Sequence, residues 1–233
     1  MTDAGRRKLG MASYAVYRWA RKLSRLPILR AMIPFALRER MQHSLSPNAI
    51  NQFPDRRYME AELLPAVVAL APQRVLDVGV ESYTAHYGRW FPESCERWTL
   101  DMNPNVVPFG APGRHVLGDA RHMDGHFEPA SMDVVMVNGT FGYGTDNVQD
   151  QEQTVQAARR LLKSHGWLLL GWDRALDGTP LVFADRGRNG AILEPTQLDE
   201  VRQHFSHEGL PGLPPRKEFA ESSHVYDWFR KRS

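Results

Sequence analysis

Five short apolar runs, each carrying or followed by a polar residue near its end, limit what this chain can fold into. They are "RVLDVGV" (74–80), "ERWTLDMN" (96–103), "GRHVLGDAR" (113–121), "SMDVVMVNGTFGYG" (131–144) and "WLLLGW" (167–172). Continuous apolar runs of this length suit strands buried on both faces, which is the habit of a parallel sheet. The stretch "NVQDQEQTVQAARRLLKSHG" reads as a helix. Val155, Ala158, Leu161 and Leu162 share one side, and Gly166 is the expected stop. "EPTQLDEVRQHF" reads as a further helix with Thr196 as N-cap, and "HVYDWFRKR" as a last strand. "RRYMEAELLPAVVAL" is helical with a kink or restart at Pro65. Strands alternating with helices imply an α/β fold, a mostly parallel sheet with helices on both faces.

Ahead of this body lies a segment of different character. Residues 1–42 carry ten Lys/Arg against two Asp/Glu, a net of +8; the remainder carries 19 against 25, a net of −6. Within residues 11–26, Ala12, Val16, Trp19, Leu23 and Leu26 fall on one helical face, and Tyr14, Arg18, Arg21 and Arg25 on the other. The domain reading is therefore a basic amphipathic helical segment over 1–50 and a catalytic body over 51–233. The segment suits either a lid on the active site or an element on an anionic membrane surface through residues 1–42. No run of about 18 apolar residues is present, so a membrane-spanning helix is not expected. One cysteine, Cys95, excludes an internal disulfide. Nine scattered histidines without close ligand spacing give no expected metal site. The expected location is cytoplasmic, with peripheral attachment to the inner membrane face as an option.

In open α/β sheets, ligands bind at the carboxyl ends of the strands. The polar residues sit there: Asp77 and Gly79 on the first run, Asp101 on the second, Asp119 on the third, Asn138 and Phe141 on the fourth. An acid about 20 residues past the glycine turn can accept hydrogen bonds from a ribose diol, which is the role read for Asp101. Met102 could pack on a purine face, and Asp119 could accept from an adenine amino group.

This ordered set resembles the class I S-adenosylmethionine-dependent methyltransferases. The resemblance rests on "VLDVG", "TLDMN", "LGDAR", "MDVVMVNGTFGYG" and "AARRLLKSHGWLLLGW" and spans roughly residues 60 to 230. It implies a Rossmann-like sheet of seven strands with the last antiparallel, S-adenosyl-L-methionine as cofactor, and a methyl acceptor as substrate. The cofactor-binding set it implies is Asp77, Gly79, Glu81, Asp101, Met102, Asp119, Asn138 and Phe141. The departure is in the first turn, where Glu81 and Tyr83 replace the usual glycines. A carboxylate at position 81 can face the cationic end of the cofactor. For a general base, Asp146 and Asp173 are the candidates. The leading reading is transfer to a small molecule or glycan. The alternative is a non-catalytic, degenerate methyltransferase fold acting as a membrane-associated scaffold. A nicotinamide site lacks its second and third glycines, and a nucleic-acid partner is not expected, because no RNA-binding module appears.

Overall fold

The computed structural model describes residues 52–174, 192–220 and 222–233. The expected helix over 11–26 and its lid or membrane role lie outside the described residues. The chain divides into two units, Met1–Met59 and Glu60–Ser233. In the first, the described part holds helix α1, Pro54–Tyr58. The second contains the sheet.

The expected kink near Pro65 takes a specific form. A π-helical turn, Met59–Leu63, leads into helix α2, Leu64–Ala69. Proline has no N–H to donate back along the helix, and the turn upstream widens to absorb the missing bond.

The sheet is built from β1 (Arg74–Val78), β2 (Glu96–Asp101), β3 (His115–Leu117), β4 (Met132–Phe141), β5 (Leu162–Asp173), β6 (Phe205–His207), β7 (Arg216–Glu218) and β8 (His224–Lys231). The order is β3-β2-β1-β4-β5-β8-β6, with β7 also on β8. Strands β1 to β5 pair in parallel, and β8 runs antiparallel to β5. The sheet is seven positions wide, yet has eight strands. Both β6 and β7 pair with the edge of β8 that faces away from β5, at opposite ends of it. Neither three-residue strand is long enough to cover β8 alone.

Both faces of the central strands are buried. On one side Leu76, Val78, Leu100, Val135, Val137, Leu168 and Leu170 pack with Val155, Ala158 and Leu161 of helix α3 (Val148–Leu161). On the other, Val75, Val134, Met136 and Leu169 are equally excluded from water. The core holds a fully buried carboxylate, Asp227 of β8. Its oxygens accept from Trp172 Nε1 at 2.8 Å, Arg216 Nε at 2.8 Å and Arg216 Nη2 at 3.1 Å, and His207 Nε2 lies 2.8 Å away. Those partners tie β5, β6 and β7 to β8, and they satisfy a charge that would otherwise be untenable there.

Several boundaries differ from expectation. Helix α3 stops at Leu161, not at Gly166. Leu162 is already extended and pairs with Met132, and the chain bulges before Trp167 pairs with Val134. Gly166 serves the bulge: a Cβ there would crowd Lys163 and Asp133 carbonyls at 3.0 and 3.2 Å. Thr196 is not an N-cap. It lies within a 3₁₀ turn, Pro195–Gln197, and helix α4 (Asp199–His204) begins after Leu198. The connections after β1, β2 and β3 are 3₁₀ segments, Ala85–Trp90, Pro104–Phe109 and Ala120–His126.

Candidate active site

The chain runs from β1 outward through β2 to β3, then returns to add β4 on the other side of β1. That reversal opens a crevice at the carboxyl ends of β1 and β4, which is where the ligand rule places a site.

Gly79 makes the turn out of β1. Its φ is +95°, and a Cβ there would lie 2.1 Å from the carbonyl oxygen of Asn138. Only glycine permits this contact between the β1 turn and β4. The turn then takes a form no glycine-rich loop needs. The Thr84 hydroxyl accepts from the Glu81 amide and donates to the Glu81 carbonyl, both at 3.0 Å. Thr84 N also donates to that carbonyl at 2.9 Å. A buried threonine thus braces the turn that carries Glu81 and Tyr83.

Asp101 ends β2 and turns its carboxylate to this loop. Oδ2 accepts from Val80 N and Oδ1 from Asn103 N, both at 2.8 Å. Each oxygen spends one acceptor position and keeps another, so a vicinal diol can still be bound by the pair. Apolar surface flanks it. Met102 is 55% exposed, and Leu117, opposite Asp101 in the β2–β3 register, is 53% exposed. Tyr143, 47% exposed, follows β4. A Cβ at Gly144 would lie 3.3 Å from the Met102 sulfur, so the β4 turn reaches over to the end of β2. Large apolar side chains left bare at a switch point, beside a two-oxygen acceptor, fit a nucleoside.

A second group of residues meets on the neighbouring strands. Asn138, Asp173 and His224 lie on one face of β4, β5 and β8, with Gly171 between them. The Asn138 Oδ1 is 3.0 Å from His224 Nε2, and His224 Nδ1 is 3.3 Å from Asp173 Oδ1. Gly171 makes room: a Cβ there would lie 2.1 Å from Asn138 Oδ1. Asp173 also accepts from Ser223 Oγ at 3.1 Å and from the Tyr143 hydroxyl at 3.2 Å. Burial alone would raise the Asp173 pKa, but the hydrogen bonds and charge of His224, with Ser223 and Tyr143, hold it down to about 2. Asp173 is therefore an ionised anchor.

The remaining expected residues are engaged elsewhere. Asp77 is buried in an ion pair with Arg97 of β2. Asp119 lies beyond the end of β3 and caps the 3₁₀ segment through the Arg121 amide at 2.9 Å. The Arg121 guanidinium also grips it, and holds its carboxyl below the ordinary range. Arg121 bridges on to Asp150 of α3 at 3.0 Å. Asp146 is buried and accepts from Gly144 N at 3.0 Å, which fixes the β4 turn. Phe141 is part of the hydrophobic core. Glu81 lies in the β1 turn, where its backbone is held by Thr84.

Asp101, Met102, Gly79 and Asn138 are thus brought to one crevice, with Asp173 linked to Asn138 through His224. His224, Tyr143 and Ser223 were not expected. For His224 the signal was present. A final strand that runs antiparallel must begin where its parallel neighbours end, so its first residue belongs at the ligand edge. Among the described residues no cluster of three or more His, Cys, Asp or Glu is set to hold a metal. No helix among them is long and apolar enough to cross a membrane.

The strand order, the antiparallel last strand and the crevice together define a Rossmann-like fold with a nucleoside-fitting site. Comparison with known proteins agrees on the fold. Residues 76–170 match a family described as a methyltransferase domain. The N-methyltransferase NodS from Bradyrhizobium japonicum WM9 superposes with a TM-score of 0.57 at 15% identity, over 78% of this chain and 99% of that one. NodS is also known in complex with S-adenosyl-L-homocysteine. The PH0226 protein of Pyrococcus horikoshii OT3 gives 0.53 at 14%, over 78% and 93%. An O-methyltransferase family protein from Burkholderia thailandensis gives 0.52 at 18%, over 96% and 71%. No curated protein matches the sequence. The sheet domain thus shares its fold with NodS, and the match to a methyltransferase domain lies within residues 76–170.

Proposed function

We propose that this chain is an S-adenosylmethionine-dependent methyltransferase acting on a small molecule or glycan that enters over the carboxyl ends of β4 and β5. S-adenosylmethionine supplies an electrophilic methyl carbon on a sulfonium. Asp101 would hold its ribose diol, Met102 and Leu117 would flank its purine, and the backbone of Gly79 and Val80 would meet its amino-acid end. The chain's own part is to align an acceptor and take up its proton. Alignment alone supplies much of the rate when the nucleophile is already competent.

One observation carries the acceptor reading: the chain Tyr143–Asp173–His224–Asn138, which begins on an exposed phenol and ends beside Gly79. Such a row of fixed donors and acceptors suits a compact polar acceptor, recognised by a few directed hydrogen bonds. The test is transfer of a labelled methyl group to a panel of hydroxyl- and amine-bearing small molecules and oligosaccharides, with bulk RNA and unfolded protein as contrasts. Label in the low-mass or oligosaccharide fraction supports the reading. Label only in RNA or protein overturns it.

A further inference from the structure

Asp173 closes β5 at the ligand edge, and its two carboxylate oxygens are used unequally. Oδ1 accepts from Ser223 Oγ at 3.1 Å and lies 3.3 Å from Nδ1 of the buried His224. Oδ2 accepts only from the Tyr143 hydroxyl among the described residues, at 3.2 Å. A carboxylate oxygen has two acceptor positions, so Oδ2 keeps one. The Oδ2 side is the open one. Tyr143 is 47% exposed, and the Asp173 side chain retains 22% of its surface. The carboxylate is ionised at neutral pH.

The charged groups around Asp173 leave that open side negative. Arg174, the next residue, sends Nη1 to Glu218 at 3.2 Å and Nη2 to the Phe219 carbonyl at 3.4 Å, so its charge is directed to β7. His224 touches Oδ1, not Oδ2. Asp146 on the β4 turn and Asp101 at the end of β2 are further acids. The turn that carries Tyr143 also reaches the cofactor crevice, since a Cβ at Gly144 would lie 3.3 Å from the Met102 sulfur. An open carboxylate position beside an exposed aromatic ring suits an alkylammonium. The carboxylate accepts an N–H, and the ring meets the charged end. A neutral hydroxyl in the same place gains a weaker hydrogen bond and nothing from the ring's quadrupole.

We infer that Asp173 Oδ2 and the Tyr143 ring form an ammonium-binding site, and that the acceptor is an amine-bearing compound held there as its cation. The inference deepens the acceptor reading above and rests on it. The ammonium is the handle that orients the acceptor, with the rest of the molecule toward β4 and the crevice. Asp173 stays ionised throughout and takes up no proton.

The test is an NMR titration of the full chain with ¹³C-labelled tyrosine rings. Benzylammonium chloride and benzyl alcohol serve as a matched pair of probes, with sodium chloride as the ionic control. Tyr143 is identified by the signal lost in Tyr143→Phe. The expected result is a saturable shift of the Tyr143 ring, with benzylammonium bound at least about fivefold more tightly than benzyl alcohol. Asp173→Asn should abolish that preference. Equal affinities for the two probes, no response of Tyr143 to either, or a preference that survives in Asp173→Asn overturns the inference. Should Asp173→Asn fail to fold, salt takes its place: wild-type affinity for benzylammonium should fall severalfold between ~0.05 and ~0.5 M sodium chloride. Binding that ignores salt overturns the inference. None of these titrations needs the cofactor, and calorimetry with S-adenosylhomocysteine separates the two readings. A wild type that binds none, while Tyr143 prefers benzylammonium, overturns the methyltransferase reading and leaves the ammonium site. A wild type that binds it, while Tyr143 shows no preference, overturns the ammonium site alone.

Discussion

The Asp101 carboxylate accepts from the Val80 amide at 2.8 Å, across 21 residues of sequence. A single side chain thus sets the course of the β1 turn and would also supply the proposed ribose acceptor. This coupling explains how a turn with Glu81 and Tyr83 in place of glycines can hold a defined shape. The shape comes from Asp101 outside and Thr84 inside, and only Gly79 is needed for its conformation.

Gly79→Ala tests that last point. A Cβ would strike the Asn138 carbonyl at 2.1 Å, against backbone that cannot swing away, at φ +95°. The expected loss is at least about 2 kcal/mol in urea unfolding. Cofactor binding should be lost with it. A variant as stable as the wild type would show that the β1 and β4 ends are not in contact.

Asp227 is a structural charge rather than a catalytic one. Asp227→Ala leaves Arg216 and Trp172 Nε1 without their partner in the core, and breaking a buried pair in this way costs about 3–5 kcal/mol. Denaturant unfolding should show that loss. Affinity for S-adenosylmethionine in the fraction that remains folded should be unchanged. A loss below about 1 kcal/mol would contradict the reading.

Acid should erode the stability that Asp173 contributes. Asp173 has a folded pKa of about 2, below that of the unfolded chain. Its contribution to stability is therefore complete above the unfolded value of about 3.9 and fades as pH falls toward 2. The stability gap between wild type and Asp173→Asn, from urea midpoints, should shrink by about 1 kcal/mol from pH ~6 to pH ~3. A gap that is constant or grows in acid would mean that Asp173 is not held ionised by its partners.

Glu81→Gln probes the unusual turn. If the carboxylate faces the cationic end of the cofactor, binding of S-adenosylmethionine should weaken more than binding of S-adenosylhomocysteine, which lacks the sulfonium charge. Equal losses would place Glu81 at the amino group alone.

Much of this arrangement was legible in the sequence, for identifiable reasons. The parallel strands are apolar on both faces, so β1, β4 and β5 announce themselves, and strand ends locate Asp101 and Asn138. Partners far apart in sequence do not announce themselves. Asp77 reads as a site residue until Arg97, on the adjacent strand, is seen to neutralise it. Asp119 likewise reads as a free acceptor, although Arg121 stands two residues on. Phe141 reads as a site residue at a strand end, but the β4–β5 register shifts between Asn138 and Phe141, and the ring packs inward. The helix expected to end at Gly166 ends at Leu161, because Leu162 pairs with Met132 and sheet pairing overrides the glycine signal.

The central claim is that the crevice beside β1 and β4 binds S-adenosylmethionine through Asp101. Isothermal calorimetry of the wild type and of Asp101→Ala tests it most directly. Two hydrogen bonds to a charged group are worth about 1.5–3 kcal/mol each. The wild type should bind, and the variant, with its circular dichroism unchanged, should bind at least about tenfold more weakly. Equal affinities in the two proteins, or no binding by the wild type, would contradict the account.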